Sequence, residues 1–118
     1  MNRWQAIQTF WGSFNLPAYD ENTVPDDAIM PYITYESRVS NFDEPVLLTA
    51  TIWYNSTLWN SISDKADQIS DYIGSGTGIS YTGGRLWITK EPTFAQRMAS
   101  ETKDNVRRIV ITVKAEFQ

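Results

Sequence analysis

The segment from Val106 to Phe117, VRRIVITVKAEF, does most to limit the fold. Ile109, Ile111, Val113, Ala115 and Phe117 alternate with Arg108, Thr112, Lys114 and Glu116. A period of two places one set on a buried face and the other on an open face, which is a β-strand and not a helix. Val110 interrupts the polar set. The segment Val46 to Tyr54, VLLTATIWY, is β-branched and aromatic, with apolar residues on both alternations. Leu48, Ala50, Ile52 and Tyr54 share one side; Leu47, Thr49, Thr51 and Trp53 share the other. A strand of that kind lies at the centre of a sheet, or turns one face to another subunit.

Two further stretches carry a period of 3.6. Trp4, Ile7, Trp11 and Phe14 form an apolar stripe with Phe10 beside it, Asn2 standing as N-cap and Pro17 setting the limit. Trp59, Ile62, Ala66, Ile69 and Ile73 form a second, with Ser56 as the expected cap, Gly74 as the stop, and Asp64, Lys65, Asp67, Gln68 and Asp71 facing solvent. Tyr32 to Val39 alternates. GISYTGGRLWITK reads as two short strands about a two-residue turn at Gly83-Gly84. EPTFAQRMASETKDN reads as a long connection with at most one helical turn. The expected order is α-β-β-α-β-β-β, an α+β domain with a mostly antiparallel sheet and both helices on one face. At 118 residues the chain makes one domain, residues 1–118, with a core large enough to need no staple.

Composition excludes most chemistry. The chain has no cysteine and no histidine, which removes thiol nucleophiles, Ser-His-Asp triads and Cys/His zinc sites. No metal or other cofactor is expected. With 10 Lys and Arg against 14 Asp and Glu, the net charge of −4 argues against gripping a phosphate backbone. No apolar run approaches the ~20 residues of a membrane span, and WQAIQTFW lacks a signal-peptide core, so the expectation is a soluble protein made in the cytoplasm.

The remaining motifs weaken on inspection. PAYDENTVPDDAIMPYITY gathers Asp20, Glu21, Asp26 and Asp27, but Val24, Pro25 and Pro31 occupy positions where an EF-hand needs a ligand, glycine and glutamate. It reads as an acidic connecting loop. GSGTG at 74–78 follows a helix where a phosphate loop precedes one, and it lacks the GK[ST] ending. Asn55-Ser56-Thr57 matches a glycosylation sequon only incidentally. Glu36 and Glu116 are the only strand-borne carboxylates that a two-carboxylate enzyme could use. Trp4, Trp11 and Trp59 belong to helix faces and read as core. Trp53 and Trp87 lie on strands whose other side already supplies the core. They are expected to face outward, as interface tryptophans do.

Taken in order, WQAIQTFW, LPAYDENTVPDDAIMPYITYE, TATIWYNSTLW, KADQISDYIG, GGRLWITK, FAQRM and RRIVITVKAEF resemble the tail-terminator (tail-completion) proteins of long-tailed bacteriophages. The likeness is greatest to those of phages and prophages of Gram-positive bacteria, often named minor capsid or minor structural proteins. It spans nearly the full length and rests on structural phrases, not on a chemical motif. It implies a non-catalytic virion protein of the tail or neck, assembled in the host cytoplasm. Such a protein forms a homo-oligomeric ring, usually six-fold, that caps the tail-tube protein and meets the head connector. DNA passes through the ring without specific binding. Under that reading Trp53, Trp87, Phe94 and Met98 are the candidates for subunit or partner contact, and Asp20, Glu21, Asp26 and Asp27 for an acidic lumen. A neck or head-completion protein and a monomeric protein-binding module are the alternatives.

Overall fold

The computed structural model describes residues 1–99 and 105–118. The elements are α1 (Arg3–Trp11), β1 (Ala18–Asp20), β2 (Tyr32–Tyr35), β3 (Val46–Tyr54), α2 (Asn60–Ile73), β4 (Thr77–Tyr81), β5 (Gly84–Ala99) and β6 (Arg107–Phe117). They form a six-stranded sheet in the order β1-β2-β3-β6-β5-β4, with both helices packed on one face. The α+β class holds as expected. The strand missing from the sequence reading is β1, three residues inside the supposed acidic loop. It pairs parallel to β2 (Ala18↔Ile33, Asp20↔Tyr35), whereas every other pair is antiparallel.

The two clearest sequence strands are the middle of the sheet. β3 and β6 pair in unbroken register from Val46↔Ala115 to Tyr54↔Arg107. Leu48, Ala50 and Ile52 face Val113, Ile111 and Ile109 across that ladder, and all six are buried under the helices. Burying a valine, leucine or isoleucine side chain contributes roughly 1.5–3 kcal/mol, so this seam is a substantial part of the apolar core, beside the larger Phe10, Trp11 and Phe14.

α1 begins with a reciprocal cap: Asn2 Oδ1 accepts the Gln5 N–H (2.9 Å), and Gln5 Oε1 accepts the Asn2 N–H (2.8 Å). Its buried face is Ala6, Ile7, Phe10 and Trp11, continued by Phe14. The helix is therefore rolled toward Phe10, which is fully buried, and away from Trp4, which is 45% exposed and meets Phe42 edge-on at 5.8 Å. The expectation that Trp4 belongs to the core is corrected. Ala6 and Ile7 of the same turn are buried, so it is the side of the helix Trp4 occupies, turned away from the core, that leaves it exposed.

α2 buries Ile62, Ala66, Ile69 and Ile73, the expected stripe, and ends at Gly74. It starts later than Ser56, whose hydroxyl accepts the Leu58 N–H (3.0 Å) in a local turn; Trp59 holds the N-cap position with no side-chain cap bond. Lys65, read as solvated, reaches back to the Phe14 carbonyl (2.7 Å) and to Gln68 (2.7 Å), tying α2 to the chain leaving α1. Trp59 is half-buried between Arg97 (4.9 Å) and Arg107 (5.4 Å).

The hairpin turn lies one residue earlier than its sequence reading. Tyr81 pairs with Gly84, so Thr82 and Gly83 form the turn and Gly84 opens β5. The long connection after Lys90 is also corrected, because β5 runs on to Ala99. Its register jumps from Lys90↔Val113 to Ala95↔Ile111, so residues 91–94 bulge out of the ladder. Pro92 and the lack of a regular alternation in EPTFAQRMA leave no strand pattern in this stretch. The rest of that connection, 100–104, lies outside the described residues.

Candidate interaction surface

Period-two alternation delivers a second sheet face that, among the described residues, carries no helix. One row in register crosses four strands, Tyr32 of β2, Trp53 of β3, Arg108 of β6 and Met98 of β5, and Tyr19 of β1, paired with Thr34, lies diagonally beside Tyr32. Tyr19 meets Tyr32 edge-on at 5.7 Å and Tyr32 meets Trp53 at 6.4 Å. The Arg108 guanidinium lies over Trp53 at 5.4 Å, and the Trp53 indole N–H donates to Thr34 Oγ1 (3.0 Å). The middle of the face is Thr49, Thr51, Val110 and Thr112. Leu47, 57% exposed, and the Lys114–Glu116 pair (3.7 Å) lie toward the far end.

Trp87 completes this face beside Arg85, whose guanidinium stacks on it at 5.0 Å. The indole lies directly on Gly76, where an added Cβ would come within 2.1 Å of the ring. Only glycine leaves room for that contact. Trp53, Trp87 and Met98 thus share the helix-free face, each half-buried. Phe94 does not join them. It belongs to the bulge and packs against the core, with the Lys90 ammonium 5.9 Å from its ring. A strand bulge re-aims side chains, and nothing in the local alternation announced it.

The four acids separate as well. Asp20 ends β1, where its carboxylate accepts the Ser37 hydroxyl and the Asn22 N–H (2.8 Å). Those bonds, the Ser37 one foremost, hold its pKa below the usual aspartate value. Glu21, Asp26 and Asp27 are exposed. Asp20 also lines a cleft of about 410 Å³ with Trp4, Ile7, Tyr35 and Ser37. There the Tyr35 hydroxyl donates to Gln8, and burial raises the Tyr35 pKa above that of a free tyrosine. Ile29 (81% exposed) and Leu58 are lone apolar side chains in loops, where no periodic signal marks them.

The two strand-borne glutamates do not form a catalytic pair. Glu36 lies beside Thr49: its carboxylate accepts the Thr49 hydroxyl and its N–H donates to the Thr49 carbonyl (3.1 Å), and Thr49 pairs with Thr112. Glu116 is a further ~13 Å along the strand at about 3.3 Å per residue, beyond the ~5–9.5 Å that glycoside hydrolysis uses. Among the described residues no group of Asp and Glu could hold a metal ion, and no helix is long and apolar enough to cross a membrane. The glycine run caps α2 and seats Trp87, which accounts for GSGTG without a phosphate.

What remains is a fold and a face. The fold is shared with a chain of a virion particle. A solved structure described as the virion of a native gene transfer agent particle contains a chain that superposes with a TM-score of 0.69. The match covers 98% of this chain and 93% of that one at 16% sequence identity. At this identity the likeness establishes the architecture from end to end. Neither a protein-family model nor a curated protein sequence matches the chain.

Proposed function

We propose that this protein is a structural component of a virion, and specifically the tail terminator: a homo-oligomeric ring that caps the tail tube, stops its growth and meets the head connector. The observation that carries this reading is the end-to-end fold likeness to a virion-particle chain. The ordered resemblance of the sequence phrases to tail-completion proteins supports the finer role. The helix-free sheet face, with Trp53, Trp87 and Met98 on it, offers a surface for identical subunits to meet. Aromatic anchors of this kind dominate interface energies. A neck or head-completion protein fits the same fold likeness, and the tube protein distinguishes the two.

The test is absolute mass by light scattering after size exclusion, first alone and then with the cognate tail-tube protein. A defined ring, or a cap that halts tube growth on mixing, is the expected result. A chain that stays monomeric and does not touch the tube protein overturns the reading in favour of a binding module. Trp53→Ala and Trp87→Ala are each expected to weaken assembly by ~2 kcal/mol, roughly 30-fold, with the monomer still folded by circular dichroism. Loss of the fold instead would return these side chains to the core.

An acidic ring interior would repel the phosphates of DNA in transit. Glu21, Asp26 and Asp27 are the candidates that remain exposed for such a lumen; Asp20 is engaged by Ser37 and the Asn22 N–H. Reversing these three charges to lysine is expected to slow DNA ejection from assembled particles. Unchanged ejection would remove them from the lumen.

A further inference from the structure

The cleft between α1 and the β1 edge has a composition suited to one kind of guest. Its walls are the half-exposed Trp4 indole, Ile7 and Tyr35, with the Asp20 carboxylate and Ser37 set among them. Two hydrogen bonds orient Asp20, and a carboxylate has about four acceptor positions, so capacity remains. Among the described residues Asp20 makes no salt bridge. An aromatic face beside a carboxylate that has no cationic partner among the described residues favours a guanidinium or ammonium group and disfavours anions.

The chain itself carries a matching group on another surface. Residues 18–28 hold Asp20, Glu21, Asp26 and Asp27 with no Lys or Arg, whereas residues 74–90 hold Arg85 and Lys90 with no carboxylate. Lys90 is turned to the helix side and bonds Ser70 (3.0 Å). Arg85 is exposed, stacked on Trp87 on the helix-free face near the β4 edge, which is the opposite edge of the sheet from β1. Donor and acceptor therefore lie on opposite faces of the sheet, although α1 itself reaches the β4 edge through Arg3 over Tyr81 and the Met1 carbonyl bonded by the Thr82 N–H. A two-fold contact would need both on one continuous surface; a head-to-tail contact needs them apart.

We propose that the Trp4–Asp20 cleft receives the Arg85 guanidinium of a second copy of this chain. This rests on the ring reading above and supplies its missing half, because the Trp87–Arg85 surface of one subunit then has a defined acceptor on the next. The experiment follows assembly against protein concentration by light scattering for four variants. Arg85→Glu and Trp4→Ala alter exposed side chains and leave the core intact. Asp20→Lys removes the acceptor, and Asp20→Lys with Arg85→Glu in one chain restores the pair with its sign reversed. The three single variants are expected to need roughly tenfold more protein for half-assembly, and the reversed pair to recover. If the wild type assembles and Arg85→Glu and Trp4→Ala assemble at the same concentrations, the cleft is overturned and the ring stands. Weakened single variants with a folded but unrescued double variant likewise overturn the pairing. A wild-type chain that never assembles, alone or on the tube protein, removes the ring reading itself.

Discussion

Replacing Phe10 with alanine will lower the unfolding free energy by about 3–5 kcal/mol, the range for deleting a buried phenylalanine. Phe10 is fully buried, and its ring contacts are Trp11 at 4.7 Å, Phe14 at 5.5 Å and Tyr72 of α2 at 6.4 Å. It joins α1, the chain after it and α2 over the sheet. Its neighbours are rings and a helix backbone that cannot collapse far into the space, so the cavity cost adds to the lost transfer energy. Urea denaturation followed by circular dichroism gives the number directly. Trp4→Ala is the internal control: the same helix loses a larger side chain, yet one that is 45% exposed, and the expected change is within ~1 kcal/mol. If the two losses were equal, the roll of α1 described above would be wrong.

The second large effect is expected at Gly84, where β5 begins. A Cβ built there would lie 1.9 Å from the Gln118 carbonyl oxygen and 2.8 Å from the Tyr81 hydroxyl. Both obstacles are held. Gln118 and Arg85 exchange backbone hydrogen bonds in both directions at 2.8 Å, and the Tyr81 hydroxyl donates to the Gln118 carbonyl (3.1 Å). Alanine cannot be accommodated by a side-chain rotation, because the nearest atom is backbone. Gly84→Ala is therefore expected to cost at the upper end of the ~1–3 kcal/mol typical of overpacking, by prising the last residue of the β5–β6 ladder away. Hydrogen exchange locates the damage. Protection should be lost at the Arg85 and Gln118 amides and kept at Ile109 and Ile111 in the middle of β6. Unchanged stability, or a loss spread evenly along β6, would contradict this account.

Strong periodicity made much of the fold legible in the sequence. β3 and β6 are readable because each runs for nine or more residues with a buried set at every second position, and the α2 stripe because its buried set repeats over about three turns. The outward placement of Trp53 and Trp87 followed from the same alternation. β1 was not legible: three residues after a proline contain no period, and only its bonding to β2 makes them a strand. Phe94 was misplaced for a related reason, since the bulge at 91–94 follows from the registration of β5 against β6 and not from local preference.

By itself, then, the sequence determined the α+β class, the central strands, the buried face of α2 and the absence of histidine and cysteine chemistry. These are properties of side-chain period and composition, which act within a few residues of one another. Only the tertiary structure decided that α1 rolls toward Phe10, that Lys65 holds the Phe14 carbonyl, and that Asp20 parts company with Asp26 and Asp27. It alone brought residues 4, 7, 20, 35 and 37 around one cleft. Such features depend on which distant segments the sheet places side by side, and pairing energies of that kind leave no periodic mark on the chain that forms them.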